Sequence, residues 1–220
     1  RHIAATLAMV LSLAQANVVF PMAAAGLNVG ATLGIAIAGG LLASAMTWYL
    51  FGRALSSGQT YNEEELLPEN GDRETLMGVI RRAGKDAWEI SLSALPLLVV
   101  ALVAVNLLRL TGLIGTLEDW LSPLLSALGY PAETLLLAFT KYIAGGTAMM
   151  GIAMDQFRTG ALDAADINLL AGLLICPLDV AGVAILVAAG RRVGEVARPA
   201  IYGALIGIGF RILCHYLLYA

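Results

Sequence analysis

The sequence predicts an all-α, polytopic membrane protein with about five transmembrane helices, one helix in the membrane interface and one re-entrant helical hairpin. Three observations predict it. Hydrophobic residues make up 59% of the 220 positions and charged residues only 13%, with a mean hydropathy of +0.81. An ordinary soluble domain is about 45–50% apolar and about 25% charged, so this chain has too little charge to coat a water-facing surface. Apolar runs recur at the length of about 20 residues that a hydrocarbon core demands of a helix. Alternation of period two is scarce, which argues against a β-barrel. The 24 glycines fit helices that approach closely in lipid. A net charge of -3 argues against a nucleic-acid partner. Cys176 and Cys214 lie in apolar runs and read as free thiols.

The spans are expected at residues 3–27, 28–52, 87–110, 166–190 and 199–219. Residue 1 is Arg, so a processing boundary is expected there, and 3–27 is too long and too interrupted by Gln15, Asn17 and Pro21 for a signal peptide. The chain reads as a single integral membrane domain over 1–220, with two N-terminal spans in 1–53 and a cytoplasmic polar loop over 54–86. That loop carries Glu63-Glu64-Glu65 and Asn70-Gly71-Asp72, and its second half, 73–86, reads as a short amphipathic helix entering the third span. Trp48 and Tyr49 read as belt residues at the inner interface. Gly30/Gly34 and Gly203/Gly207 have small-xxx-small spacing, which serves close packing within one chain or contact between copies.

Gly112 to Gly115 is expected to end the third span. Beyond it, Leu117, Trp120, Leu121, Leu124, Leu125 and Leu128 recur at steps of three and four, one apolar helix face. The segment 117–129 is too short to span and reads as an interfacial helix, with Trp120 and Tyr130 at headgroup level. Residues 132–154 could span by length, but Lys141 is mid-segment and Gly145-Gly146-Thr147 follows. A glycine pair opens a helix and a buried lysine is costly unless it faces a polar cavity. The alternative is a re-entrant hairpin over 132–156 with its tip at 144–147. Lys and Arg placement decides between the two. With the 53–86 loop inside (Arg53, Arg73, Arg81, Arg82, Lys85), a spanning 132–154 puts the loop carrying Arg191, Arg192 and Arg198 outside. A hairpin keeps those arginines inside and leaves Arg109 and Arg158 on the outer face. The expected topology therefore has the N-terminus inside and the C-terminus outside a bacterial-type cytoplasmic membrane.

The order of parts is "GLIGTLEDWLSPLLSALGYP", then "AETLLLAFTKYIAGGTAMMGIAMD", then the Pro-broken "LLAGLLICPLDVAG". It resembles the Gate, or nucleoside recognition, domain of concentrative nucleoside transporters, ferrous-iron permeases and spore maturation membrane proteins. The resemblance covers about 87–190 within a Gate-like region, 87–220. It implies an interfacial helix, a hairpin and a broken helix. The transporters carry a polar Gly-Gln-Thr-Glu type tip where this chain has Ala144-Gly145-Gly146-Thr147. They also contain a second hairpin and more spans, so the resemblance implies a homo-oligomer or a second Gate-type membrane chain as partner.

Counting 1.5 Å per residue places Asp179 and Arg211 near the midplane of antiparallel neighbours, with Lys141 at similar depth. Ionisable groups there face a cavity or each other. Two readings follow: a structural Asp179–Arg211 pair, or a polar site completed by Lys141, Gly145, Gly146 and Thr147. Gln15 and Asn17, midway along the first span, either line the same cavity or make interhelical hydrogen bonds. Pro177 frees the carbonyl of Leu173 and breaks the helix beside Asp179, as at midplane sites of transporters. Cys176 is a weak candidate metal ligand; with Cys214 and the methionines it also reads as packing. His215 reads as interfacial, beside Tyr216 and Tyr219. No nucleophile–base set, phosphate loop or zinc motif is visible, so neither enzyme activity nor a cofactor is expected. The expected function is a transporter or permease component for a small polar solute, nucleoside-like or an organic anion. The alternatives are a transition-metal conduit and a non-transporting scaffold. In the hairpin topology, single cysteines at positions 160 and 194 are labelled by an impermeant thiol reagent from opposite sides of the membrane. Labelling from one side contradicts it.

Overall fold

Backbone groups in a hydrocarbon core find no water, so each spanning segment must satisfy its own hydrogen bonds. The computed structural model describes residues 1–55, 75–180, 182–183 and 191–220, and among these every regular element is a helix. The elements are α1 (His2–Ser12), α2 (Ala16–Ala23), α3 (Val29–Met46), α4 (Leu76–Leu110), α5 (Leu113–Ala127), α6 (Thr134–Ala144), α7 (Gly146–Thr159), α8 (Ala164–Leu174) and α9 (Arg191–Tyr219). A π-helical turn, Thr47–Phe51, extends α3.

Three segments among the described residues are long and apolar enough to cross a membrane: His2–Ala23, Val29–Phe51 and Gly194–Tyr219. They correspond to the first, second and last expected spans. The first is not one continuous helix. Leu13 and Gln15 are extended, and the chain restarts as α2. The expected third span lies inside α4, whose 35 residues begin well before it, so 76–86 is helical and continuous with it. The rest of the expected polar loop, 56–74, lies outside the described residues. Gly112, at φ +74°, separates α4 from α5, so the short apolar helix starts four residues earlier than expected. Trp120 and Leu124 on its apolar face are exposed. The span expected at 166–190 is α8 followed by a break over 175–179; residue 181 and residues 184–190 lie outside the described residues. Residues 191–198, expected as a loop, form the first two turns of α9. The helix runs through both Gly194 and Pro199, residues that membrane helices tolerate in their interiors.

Residues 132–156 form two helices, not one. Gly145 adopts φ +93° and ψ 168°, a conformation that side chains with a Cβ resist, and α6 and α7 pack together across it. The tip is therefore a single residue rather than the expected four. At the start of α8, Asp163 and Asp166 form a reciprocal capping box, each side chain 2.9 Å from the other's backbone N. One turn on, Asn168 ties the α2–α3 connection to α8. Its Oδ1 accepts from Asn28 N at 2.7 Å and its Nδ2 donates to Gly26 O at 2.9 Å. Asn28 in turn caps α3 through Ala31 N.

Helices α1, α3 and α9 pack on one another, and α8 packs on α9. One apolar cluster gathers Leu7, Leu11, Ala43, Cys176, Leu178, Ala204 and Ile208. A second gathers Val18, Met22, Leu137, Met149, Ile167, Leu170 and Ile175. The α8 break contributes to both, so it lies where the two cores meet. Phe20, Ile37, Leu41 and Leu217 are exposed, as lipid-facing side chains are.

Close approach of α9 to α3 and α1 depends on glycine. A Cβ on Gly207 would lie 2.8 Å from Ala43 Cβ and against the Gly39 carbonyl and Ser12 Oγ. Gly203 abuts Thr47 and the Ala43 carbonyl. These two positions therefore serve packing within the chain. Gly34 meets nothing within 4 Å. Gly207→Leu is accordingly expected to destabilise the protein by about 3 kcal/mol or more, and Gly34→Leu by less than about 0.5 kcal/mol in the monomer. Thermal unfolding in detergent distinguishes them, and equal effects contradict this packing.

A buried polar centre at three helix breaks

Each break strands backbone carbonyls that a continuous helix would use. At the first, Ser12 O and Leu13 O both accept from Arg211 Nη1, at 2.7 and 3.3 Å. At the second, Pro177 has no N–H, so Leu173 O loses its helical donor. The Tyr142 hydroxyl donates to Leu173 O at 3.0 Å instead. Arg211 Nη2 donates to Ala171 O at 3.4 Å and to Ile175 O. One fully buried guanidinium thus serves four carbonyls from two discontinuous helices. Its planar fork suits this better than a lysine ammonium.

The expected Asp179–Arg211 pair is not what forms. Lys141 Nζ lies 2.9 Å from Asp179 Oδ2 and 3.4 Å from Leu178 O. The side chains are 0% and 5% exposed. Lys141 projects from the last turn of α6, and Asp179 sits just past the α8 break. Depth along the membrane normal put Arg211 level with Asp179, but the face of α9 that carries Arg211 meets the stranded carbonyls first. Asp179 also acts as a cap: Oδ1 accepts from Gly182 N at 2.6 Å and its carbonyl from Val183 N at 2.9 Å.

The third break is the hairpin tip. A Cβ on Gly145 would lie 3.7 Å from Asp179 Oδ2, so the tip backbone runs directly past the carboxylate. Gly146 packs against Gln15 Oε1, a buried acceptor with no hydrogen-bond partner. Asn17 Nδ2 donates to Thr147 Oγ1 at 3.0 Å, and both residues are exposed. The fold therefore brings Gln15, Asn17, Lys141, Gly145, Gly146, Thr147 and Asp179 together, and Arg211 joins them through the backbone of the α8 break.

One further residue sits differently from expectation. His215 is fully buried rather than interfacial: its Nδ1 is 2.7 Å from Asn168 O, its Nε2 has no partner, and its ring stacks on Tyr219. A carbonyl only accepts, so Nδ1 carries the proton. A helix of 29 residues lets α9 tuck His215 against α8. Cys176 is buried, and its Sγ makes one weak contact, 3.9 Å to Leu173 O. Among the described residues no group of three His, Cys, Asp or Glu side chains could hold a metal ion. The sequence reading missed Tyr142 and Asn168. Tyr142 had a signal, since the predicted orphan carbonyl of Leu173 required some donor.

Apolar spanning helices, broken where buried charges and carbonyls gather, define an all-helical integral membrane protein. No family model matches the chain, and no solved structure matches it. Spore maturation protein B of Bacillus subtilis (strain 168) is 31% identical over 140 residues, which is 62% of this chain and 78% of that protein. The chain belongs to the spore maturation protein B family.

Removing one member of a buried ion pair strands the other. Lys141→Met and Asp179→Leu are each expected to destabilise by about 3–5 kcal/mol, with the double variant nearer wild type than either single. Additive losses in a double-mutant thermal-unfolding cycle contradict the pairing.

Proposed function

We propose that this chain is the membrane component of a permease-type transporter for a small polar solute, with its solute site at the three converging breaks. The observation that carries the reading is the meeting of discontinuous helices at a buried Lys141–Asp179 pair, since transporters place substrate groups at such helix ends. The exposed Asn17–Thr147 bond, beside the hairpin tip, is in this reading the rim of the site. In this reading the Gate resemblance extends to transport. The protein sits in a bacterial-type cytoplasmic membrane with its N-terminus inside and its C-terminus outside. α6 and α7 form a re-entrant hairpin. The chain functions as a homo-oligomer or with a second Gate-type chain, and it has no catalytic role.

A second reading has its own support. Lys141, Asp179 and Arg211 all have partners within the chain, as a non-transporting scaffold requires. The relative's name also refers to spore maturation rather than transport. A metal conduit would rest on Cys176, which has no companion ligand among the described residues.

A bound ligand stabilises by RT ln(1 + [L]/Kd), about 2.7 kcal/mol at a hundredfold excess over Kd. In a thermal-shift screen of polar solutes and divalent metals, stabilisation by a polar solute is expected to vanish in Asp179→Asn and to survive in Cys176→Ala. Metal stabilisation lost only in Cys176→Ala supports the conduit. Indifference to every ligand supports the scaffold.

A further inference from the structure

The two halves of the central ion pair are held very differently. Asp179 is fixed: its Oδ1 is committed to Gly182 N and its main chain to the break. Lys141 is attached through four methylenes, one turn before the Gly145 tip, and touches its partners only through Nζ. If one member leaves, it is Lys141. What then remains is a wall of acceptors. Asp179 Oδ2 and Leu178 O lose their donor. Gln15 Oε1, across the Gly145–Gly146 tip, already lacks one although it is buried. Arg211 keeps its charge, but both its Nη atoms are directed to backbone carbonyls of the two breaks rather than to the Asp179 carboxylate. A wall with one fixed carboxylate and two further oxygens, whose bonded cation is Lys141, selects for positive charge and N–H donors once Lys141 leaves. It does not select for an organic anion.

We infer that the solute recognised at this centre carries a primary ammonium group, and that Lys141 is a tethered stand-in which that group displaces from Asp179. The inference rests on the permease reading and names its substrate class. Glycine at both tip positions fits it, since φ +93° at 145 resists a side chain beside Asp179 Oδ2 and a Cβ at 146 would clash with Gln15 Oε1.

Lys141→Ala removes three methylenes and the ammonium, which is the volume and charge of n-propylammonium. The test measures unfolding midpoints in detergent for wild type, Lys141→Ala and Lys141→Ala/Asp179→Asn, with n-propylammonium chloride or the uncharged control butan-1-ol. The amine is expected to raise the midpoint of Lys141→Ala by about 3–6 °C at tenfold excess over Kd. Butan-1-ol should leave it unchanged, and the double variant should not respond. Wild type should need at least about tenfold more amine, because it competes with an intramolecular lysine. A folded Lys141→Ala that ignores the amine, or a double variant that responds equally, overturns the inference. If Lys141→Ala does not survive extraction, the yield of monodisperse protein extracted with amine or with butan-1-ol is compared; recovery with the amine alone supports the inference and equal yields overturn it. Wild type stabilised by uridine or citrate, in a Lys141-dependent way, overturns the ammonium assignment and leaves the permease reading standing. Indifference of every protein to every solute overturns both.

Discussion

A carbonyl stranded in hydrocarbon has no water to turn to, and the Arg211 guanidinium takes three of them at once, together with Ala171 O, which also keeps its helical bond from Ile175 N. Ser12 and Leu13 contribute from the first break, Ala171 and Ile175 from the second. Without those bonds neither α1–α2 nor the α8 break could remain open at depth, because each unsatisfied polar group costs several kcal/mol there. The breaks in turn set where Gln15, Asn17 and Asp179 point. The polar centre is therefore a consequence of how backbone polarity is satisfied, with Tyr142 completing the work at Leu173.

This arrangement separates two kinds of buried charge. Arg211 is surrounded by neutral acceptors and holds backbone together. The Lys141–Asp179 pair neutralises itself and leaves the hairpin tip beside a carboxylate oxygen. Arginine suits the first task because its fork is planar and its charge is permanent; lysine suits the second because a compact point charge on a flexible stem can reach a single carboxylate oxygen.

Composition and span length made the membrane class legible, because both report on the solvent directly. The break at Gly145 and that at Pro177 were legible too, because glycine and proline act on the backbone locally. The break between α1 and α2 was not: Gln15 and Asn17 are ordinary residues, and what holds that segment extended is Arg211, some 199 positions away. The same distance explains the mistaken Asp179–Arg211 pair. Depth along a span is readable from residue counting, but which neighbour a helix face meets is a matter of rotation about its axis. His215 shows the effect again, since the reading of an interfacial histidine missed its turn toward Asn168.

The contact between Ser12 and Arg211 also carries a consequence for biogenesis. A ribosome adding about 5–20 residues per second needs about 10–40 s to pass from one to the other. Throughout that interval the first two helices are in or near the lipid while the donor for their gap does not yet exist. The nascent N-terminal segment must spend that time either as one temporarily unbroken helix or sheltered by the insertion machinery. It takes its final shape only when α9 arrives, so a helix made 199 residues later completes the α1–α2 gap.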